Sequence, residues 1–228
     1  GGSKSAAAST GGRQSLMLEA ILWDNDGVLV NTEALYYEAC RRTLANEGTE
    51  LSREMYVRIS MTEGRSVFDL IDLDRDERAR LRSDRDKVYM GLLSSRDLTL
   101  PGVRETLEGL DGRLRMSVVT SSHRAPFDLI HSSTGLMRFF ESALVREDFT
   151  LSKPDPEPYL KGLELLGLDA SSCLAIEDSA RGLASARAAG LKCIVVPNTL
   201  TQDGDFSEAY AVLDDIRDVI PAVEKLLV

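Results

Sequence analysis

From Leu18 onward the chain alternates short apolar runs with longer amphipathic segments. Runs at 20–23, 116–120, 142–145, 173–176, 193–196 and 211–213 have the length and continuity of strands buried on both faces. Between the later runs, 126–134, 157–166 and 179–189 carry apolar residues at helical spacing. Pro101-Gly102 opens a further helix over 103–110, because proline suits the first helical positions. Strands alternating with helices of this length predict βα units on a parallel sheet, the α/β class.

The stretch 34–95 breaks this rhythm. It is highly charged, contains no proline and shows no convincing strand, while 33–45 and 79–93 have helical apolar spacing. It reads as a helical insert between the first and second strands, entered near Thr32 and left near 98–101. An insert held by two linkers is built to move as a lid. The expected organisation is therefore a core of 18–33 and 96–228, a helical cap over 34–95, and a Gly/Ser/Ala-rich flexible terminus or tag remnant at 1–17. Those first residues lack the apolar segment of a signal peptide.

Composition narrows the function classes. Hydrophobic residues make up 43 % of 228, enough for a substantial core. The net charge of −10 disfavours a nucleic-acid or anionic-membrane binder, since phosphate backbones reward basic patches. No apolar run is long enough to span a membrane. The three cysteines, Cys40, Cys173 and Cys193, are too few and too scattered for a disulfide framework or a zinc site. They fit buried thiols in a reducing compartment, and a cytoplasmic location is expected.

Four strand-end clusters carry the candidate chemistry. The first strand ends in Asp24-Asn25-Asp26-Gly27, where ligands of open α/β sheets bind. Two carboxylates that close repel unless a cation or shared proton relieves them. A carboxylate also serves as a nucleophile toward phosphorus, provided a metal neutralises the phosphoryl oxygens and a second group trades protons. The second cluster, Thr120-Ser121-Ser122, supplies hydroxyls and backbone N–H groups that hold phosphate oxygens or cap a helix. In the third, Ser152-Lys153-Pro154, the lysine is a point cation suited to phosphate. In the fourth, Glu177 and Asp178 end a strand before a small-residue helix, as hard oxygen ligands or as acids favoured at a helix start. A dinucleotide-binding protein is excluded, because no GxGxxG follows the first strand.

Taken together, DxDG, a strand-end Thr/Ser, a lysine and an acidic pair before a glycine-bearing helix resemble the haloacid dehalogenase superfamily. DGVLVNTE, SKPDPEPY and IEDSARGLASARAAG resemble its branch with a helical cap, which includes β-phosphoglucomutase-like and phosphoglycolate-phosphatase-like enzymes. The resemblance implies a Rossmann-like core with an inserted cap and Mg2+ as cofactor. It implies Asp24 as nucleophile and metal ligand, and Asp26 as general acid/base lending a backbone carbonyl to the metal. Thr120 and the Ser121 N–H would bind the phosphoryl group, and Lys153 would bridge phosphate and nucleophile. Asp178 would ligate the metal, with Glu177 a ligand or a partner behind it. Dehalogenases of this fold do not carry an aspartate where Asp26 stands, so phosphoryl transfer is expected.

The expected activity is Mg2+-dependent hydrolysis of a small sugar or organic-acid phosphate through an aspartyl-phosphate. A sugar-phosphate mutase and a non-catalytic phosphate-binding protein are the rivals. β-Phosphoglucomutases carry a histidine near the cap hinge, where this chain has Tyr36 and Tyr37, and a KGxSR-like cap segment that 58–66 matches poorly. Arg58, Glu63 and Arg65 are the candidate cap specificity residues, each also readable as a solvated helix charge. Lys87, the one lysine of the insert, shows no sign of Schiff-base chemistry. Both histidines, His123 and His131, read as structural. The expected partner is a small phosphorylated metabolite, without nucleic acid or membrane, for a monomer or small homo-oligomer.

Overall fold

The structure, a computed structural model, describes residues 17–93 and 97–227. The expected flexible terminus, except for Met17, and the expected last residue of the cap, 95, lie outside the described residues. Six strands, β1 (Ala20–Trp23), β2 (Arg115–Val119), β3 (Ser142–Leu144), β4 (Cys173–Glu177), β5 (Lys192–Val195) and β6 (Ala211–Val212), form one sheet. Every pairing is parallel and the order is β3-β2-β1-β4-β5-β6. This is the expected Rossmann-like α/β arrangement. The chain winds outward from β1 through β2 to β3, then returns to β4 on the other side of β1. The reversal opens a crevice at the carboxyl ends of the central strands. Trp23 pairs with Val118 on one side and Ile176 on the other, so Asp24, Val119 and Glu177 lie level with one another.

Strand periodicity sends alternate residues to opposite faces. Ile21 and Trp23 join one apolar layer with α4 (Val103–Leu110), α5 (Arg124–Thr134) and α8 (Val219–Glu224). Ala20 and Leu22 join a second layer with α6 (Glu157–Leu166) and α7 (Ala180–Ala188). Burying each large side chain contributes about 1.5–3 kcal/mol, and the four β1 residues are fully buried. All three cysteines are buried free thiols.

Between β1 and β2 the chain forms a separate apolar cluster from Cys40, Leu44, Tyr56, Phe68 and Leu81. Its helices are α1 (Glu33–Asn46), the short α2 (Arg53–Tyr56), which continues into a π-helical turn, Val57–Thr62, and α3 (Arg75–Leu93). The helix expected over 79–93 starts earlier than its apolar spacing shows. Glu77 donates its N–H to Asp74 Oδ1 at 2.8 Å, and Asp74 donates its own to Glu77 Oε2 at 3.0 Å. This reciprocal cap starts the helix on purely polar residues. Likewise α5 begins at Arg124, ahead of the expected 126, with the Arg124 N–H held by Glu147 at 3.0 Å.

Candidate active site

β1 stops at Trp23, but the Asp24 N–H still reaches the Ile176 carbonyl at 2.9 Å. The chain then turns around the Asn25 carbonyl, which accepts from the N–H groups of Val28, Leu29 and Val30. Gly27 has φ +81°, and a Cβ there would overlap the Asp178 carboxylate. Glycine therefore serves both the left-handed backbone and the close approach of this turn to β4. The turn, rather than a continued pleat, aims Asp26.

Lys153, with 7 % of its side chain exposed, donates to Asp24 Oδ1 at 2.8 Å, Glu177 Oε1 at 2.6 Å and the Val119 carbonyl at 2.9 Å. Its three ammonium protons thus meet three acceptors. Glu177 is fully buried and also accepts from the Tyr159 hydroxyl at 2.6 Å. Helix α7 lies so close that a Cβ on Gly182 would overlap the Glu177 carboxylate. Asp178 accepts from the Asn198 amide at 2.8 Å, and the same amide nitrogen donates to Glu33 at 3.0 Å.

This arrangement strains its own charges. Burial, then the Glu177 charge, pushes the Asp24 carboxyl up to about 8 against the pull of Lys153. Burial and the surrounding carboxylates hold Asp178 well above the usual range. Glu33 is pushed up to about 7 by burial, with the Asn198 hydrogen bond opposing. Burial alone would lower Lys153, but Asp24 and Glu177 outweigh it and keep the ammonium charged. Ligand oxygens of Asp24, Glu177 and Asp178 lie within 4.8 Å of one another. A set made only of carboxylate oxygens, short of positive charge, fits a hard divalent cation.

Asp26 occupies a separate niche. It accepts from Thr32 at 2.5 Å, Ser122 at 2.6 Å, Thr120 at 3.0 Å and the Asn25 amide at 3.3 Å. Thr120 is thus engaged with Asp26, and its oxygen also accepts the Ser122 N–H at 3.0 Å. A cavity of about 450 Å³ opens beside them, lined by Asp26, Ser121 and Ser122 from the strand ends, by Arg181 from the start of α7 and by Tyr36, Arg65 and Arg85 from the helical layer. Arg65 pairs with Glu63 at 3.0 Å and with Asp69 at 3.7 Å. Arg58 and Glu63 face each other at 3.9 Å and are not among the lining residues. Arg181 donates to the Lys153 carbonyl, while its buried Nε has no partner among the described residues.

Sequence reasoning missed Tyr159, Asn198, Glu33 and the side chain of Ser122. Glu33 ends the DGVLVNTE segment and Ser122 belongs to the Thr120-Ser121-Ser122 cluster, but neither side chain has a role of its own in the sequence reading. Tyr159 closes the SKPDPEPY segment, where only its place on a helix was read. Asn198 lies in an uncharged Pro-Asn-Thr loop after β5, and nothing local marks it.

The model of the family described as haloacid dehalogenase-like hydrolase matches residues 21–196. The chain belongs to this family. It is 33 % identical over 87 % of its length to protein CbbY of Rhodobacter capsulatus, covering 94 % of that protein. It is 30 % identical over 86 % of its length to a phosphorylated carbohydrates phosphatase of Thermotoga maritima, covering 93 % of it. Among solved structures, CbbY from Rhodobacter sphaeroides in complex with phosphate superposes with a TM-score of 0.78 at 25 % identity, covering 89 % of this chain and 96 % of that one. The chain is accordingly an enzyme of the haloacid dehalogenase-like hydrolases. No helix among the described residues is long and apolar enough to cross a membrane.

Proposed function

We propose that this enzyme hydrolyses small phosphomonoesters, sugar or organic-acid phosphates, with Mg2+ and an aspartyl-phosphate intermediate. The observation that carries the reading is the buried Asp24–Lys153–Glu177 network beside Asp178, with Asp26 held separately at the cavity wall. Asp24 and Asp178 would hold the cation through their carboxylates and Asp26 through its backbone carbonyl. Glu177, already committed to Lys153 and Tyr159, stands behind them. When bound, the ion neutralises phosphoryl and carboxylate charge.

Lys153 orients Asp24 through the Oδ1 hydrogen bond and opposes the protonation that burial favours, and the ion, when bound, would favour the carboxylate further. The Asp24 oxygen attacks phosphorus, the bond to the ester oxygen breaks, and that oxygen takes the electron pair and a proton from Asp26. The alcohol departs. Asp26 then accepts a proton from water as the water oxygen attacks the aspartyl-phosphate, releasing phosphate and restoring Asp24. The Ser121 N–H at the end of β2 would donate to a phosphoryl oxygen, and Thr120 would join it by turning its one hydroxyl proton from Asp26 to the substrate. Closure of the helical layer over the cavity would exclude bulk water. Close to where mutases carry the hinge histidine this chain has Tyr36 and Tyr37 and no imidazole, which supports hydrolysis over mutase chemistry.

Phosphate release from a panel of phosphorylated sugars and organic acids, with Mg2+ or with chelator, tests the reading. Mg2+-dependent turnover is expected, falling at least about 10⁴-fold in Asp24→Asn. Turnover that persists in chelator or in the folded variant would refute it. Stimulation by a sugar bisphosphate, with phosphate returned to substrate faster than it is lost to water, would select the mutase.

A further inference from the structure

His131 lies on α5, 8 % exposed, its ring packed 4.5 Å from that of Phe127. The reaction outlined above gives it no part. Its Nε2 is 2.8 Å from Asn25 Oδ1 and its Nδ1 is 2.9 Å from the Thr134 hydroxyl. Asn25 is fully buried between the two aspartates in sequence, and its Nδ2 is 3.3 Å from Asp26 Oδ2.

The direction of this chain follows from its two ends. The Ser122 and Thr120 hydroxyls converge on Asp26 Oδ2, and Thr120 already accepts the Ser122 N–H, so Oδ2 is an acceptor and the proton that Asp26 gives to the leaving oxygen belongs on Oδ1. Asn25 must therefore turn its NH2 toward Asp26 and its carbonyl toward His131. That carbonyl needs a donor, so the proton of the neutral ring sits on Nε2. Nδ1 is then an acceptor and takes the Thr134 O–H. The Thr134 oxygen in turn accepts the Leu136 N–H at 3.3 Å, which leaves its own proton for the ring. Every proton from Leu136 to Asp26 points the same way. Burial holds the His131 imidazole down at about 4, in keeping with a neutral ring. Without His131, the Asn25 amide is free to reverse and present its carbonyl to Asp26, a repulsive contact.

We propose that His131 is a positioning residue for Asp26, acting through Asn25 to fix the acid that protonates the leaving oxygen. The inference rests on the hydrolase reading for the role of Asp26. Its signature is dependence on the leaving group, because a phenolate of low pKa departs without a proton and an alkoxide does not. A lost fold contact would slow both alike.

The test compares kcat/KM, which reports the steps through alcohol release, for the best alkyl phosphate of the panel and for p-nitrophenyl phosphate. His131→Leu is expected to lose about tenfold on the alkyl ester and less than about twofold on the aryl ester. His131→Gln keeps an N–H donor within reach of Asn25 and is expected to restore most of the loss. Equal losses on the two esters, or no rescue by glutamine, would overturn the proposal. Nitrogen NMR of the wild-type ring is expected to show a protonated Nε2 and a bare Nδ1. The opposite tautomer would overturn the proposal whatever the activity, and it stays readable if His131→Leu does not fold. A wild type inactive on both esters would instead mark failure of the hydrolase reading.

Discussion

The strand-end site and the helical layer above it use the same charged residue types in opposite ways. At the strand ends Lys153, Asp24 and Glu177 are buried and tied to one another at 2.6–2.8 Å. In the helical layer, Arg41 and Arg42 on Glu38, Arg80 on Glu47 and Lys87 on Asp84 are pairs of exposed or half-exposed side chains. Exposed pairs contribute about 0–1 kcal/mol, because water screens them and ordering the side chains costs entropy. Breaking one partner of a buried pair leaves an uncompensated charge at about 3–5 kcal/mol. The lower layer therefore specifies one geometry. The upper layer, held by exposed pairs, is expected to tolerate change.

The sharpest way to break the comparison is a matched pair of lysine variants. Lys153→Met is expected to destabilise the protein by about 3–5 kcal/mol, since Asp24 and Glu177 lose their shared cation. Lys87→Met should stay within about 0.5 kcal/mol. Urea unfolding measures both, and similar values would erase the distinction between the layers. Gly182→Ala comes next, at about 1–3 kcal/mol, because its methyl group enters the space of the Glu177 carboxylate. That variant should also lose activity while Gly91→Ala on α3, whose Cβ meets nothing within 4 Å and whose φ is not left-handed, loses none.

A subtler effect is pH-dependent. His131 in the fold titrates near 4, below its ordinary 6.5. Between these values the unfolded chain binds more protons than the folded one, so this group's contribution to stability declines as pH falls from 6.5 toward 4. The buried acids act in the opposite sense. Asp24, raised to about 8, gives a contribution present at low pH and lost as pH rises through 8. The difference in melting temperature between wild type and His131→Gln isolates the histidine. It should shrink as pH drops from 7 to 4, and a constant difference would contradict the assignment of a buried neutral ring.

Much of this molecule was legible because its chemistry punctuates apolar runs. Asp24, Thr120, and the Glu177–Asp178 pair each end a strand, where hydropathy falls abruptly. Lys153 was legible from its ordered place among them. The parallel sheet followed from strands alternating with helices. Less was legible where a residue acts across the fold. His131 sits on the apolar face of α5 and has the pattern of a core residue; only the return of that helix beneath the Asn25 turn shows its partner. The start of α3 was hidden because a polar cap leaves no mark on apolar periodicity. In the helical layer, charges at helical spacing look alike in sequence. Arg65 lines the cavity and Arg58 does not, although both belong to the same short segment.

The central claim is that Asp24 is the group that takes the phosphoryl from substrate. Acid quench during steady-state turnover, borohydride reduction and peptide mapping test it most directly. A phosphorylated aspartate is reduced to homoserine, and the account predicts that conversion at Asp24 alone, only with substrate and Mg2+ present. Steady turnover with Asp24 unmodified, or with the label on another residue, would contradict it.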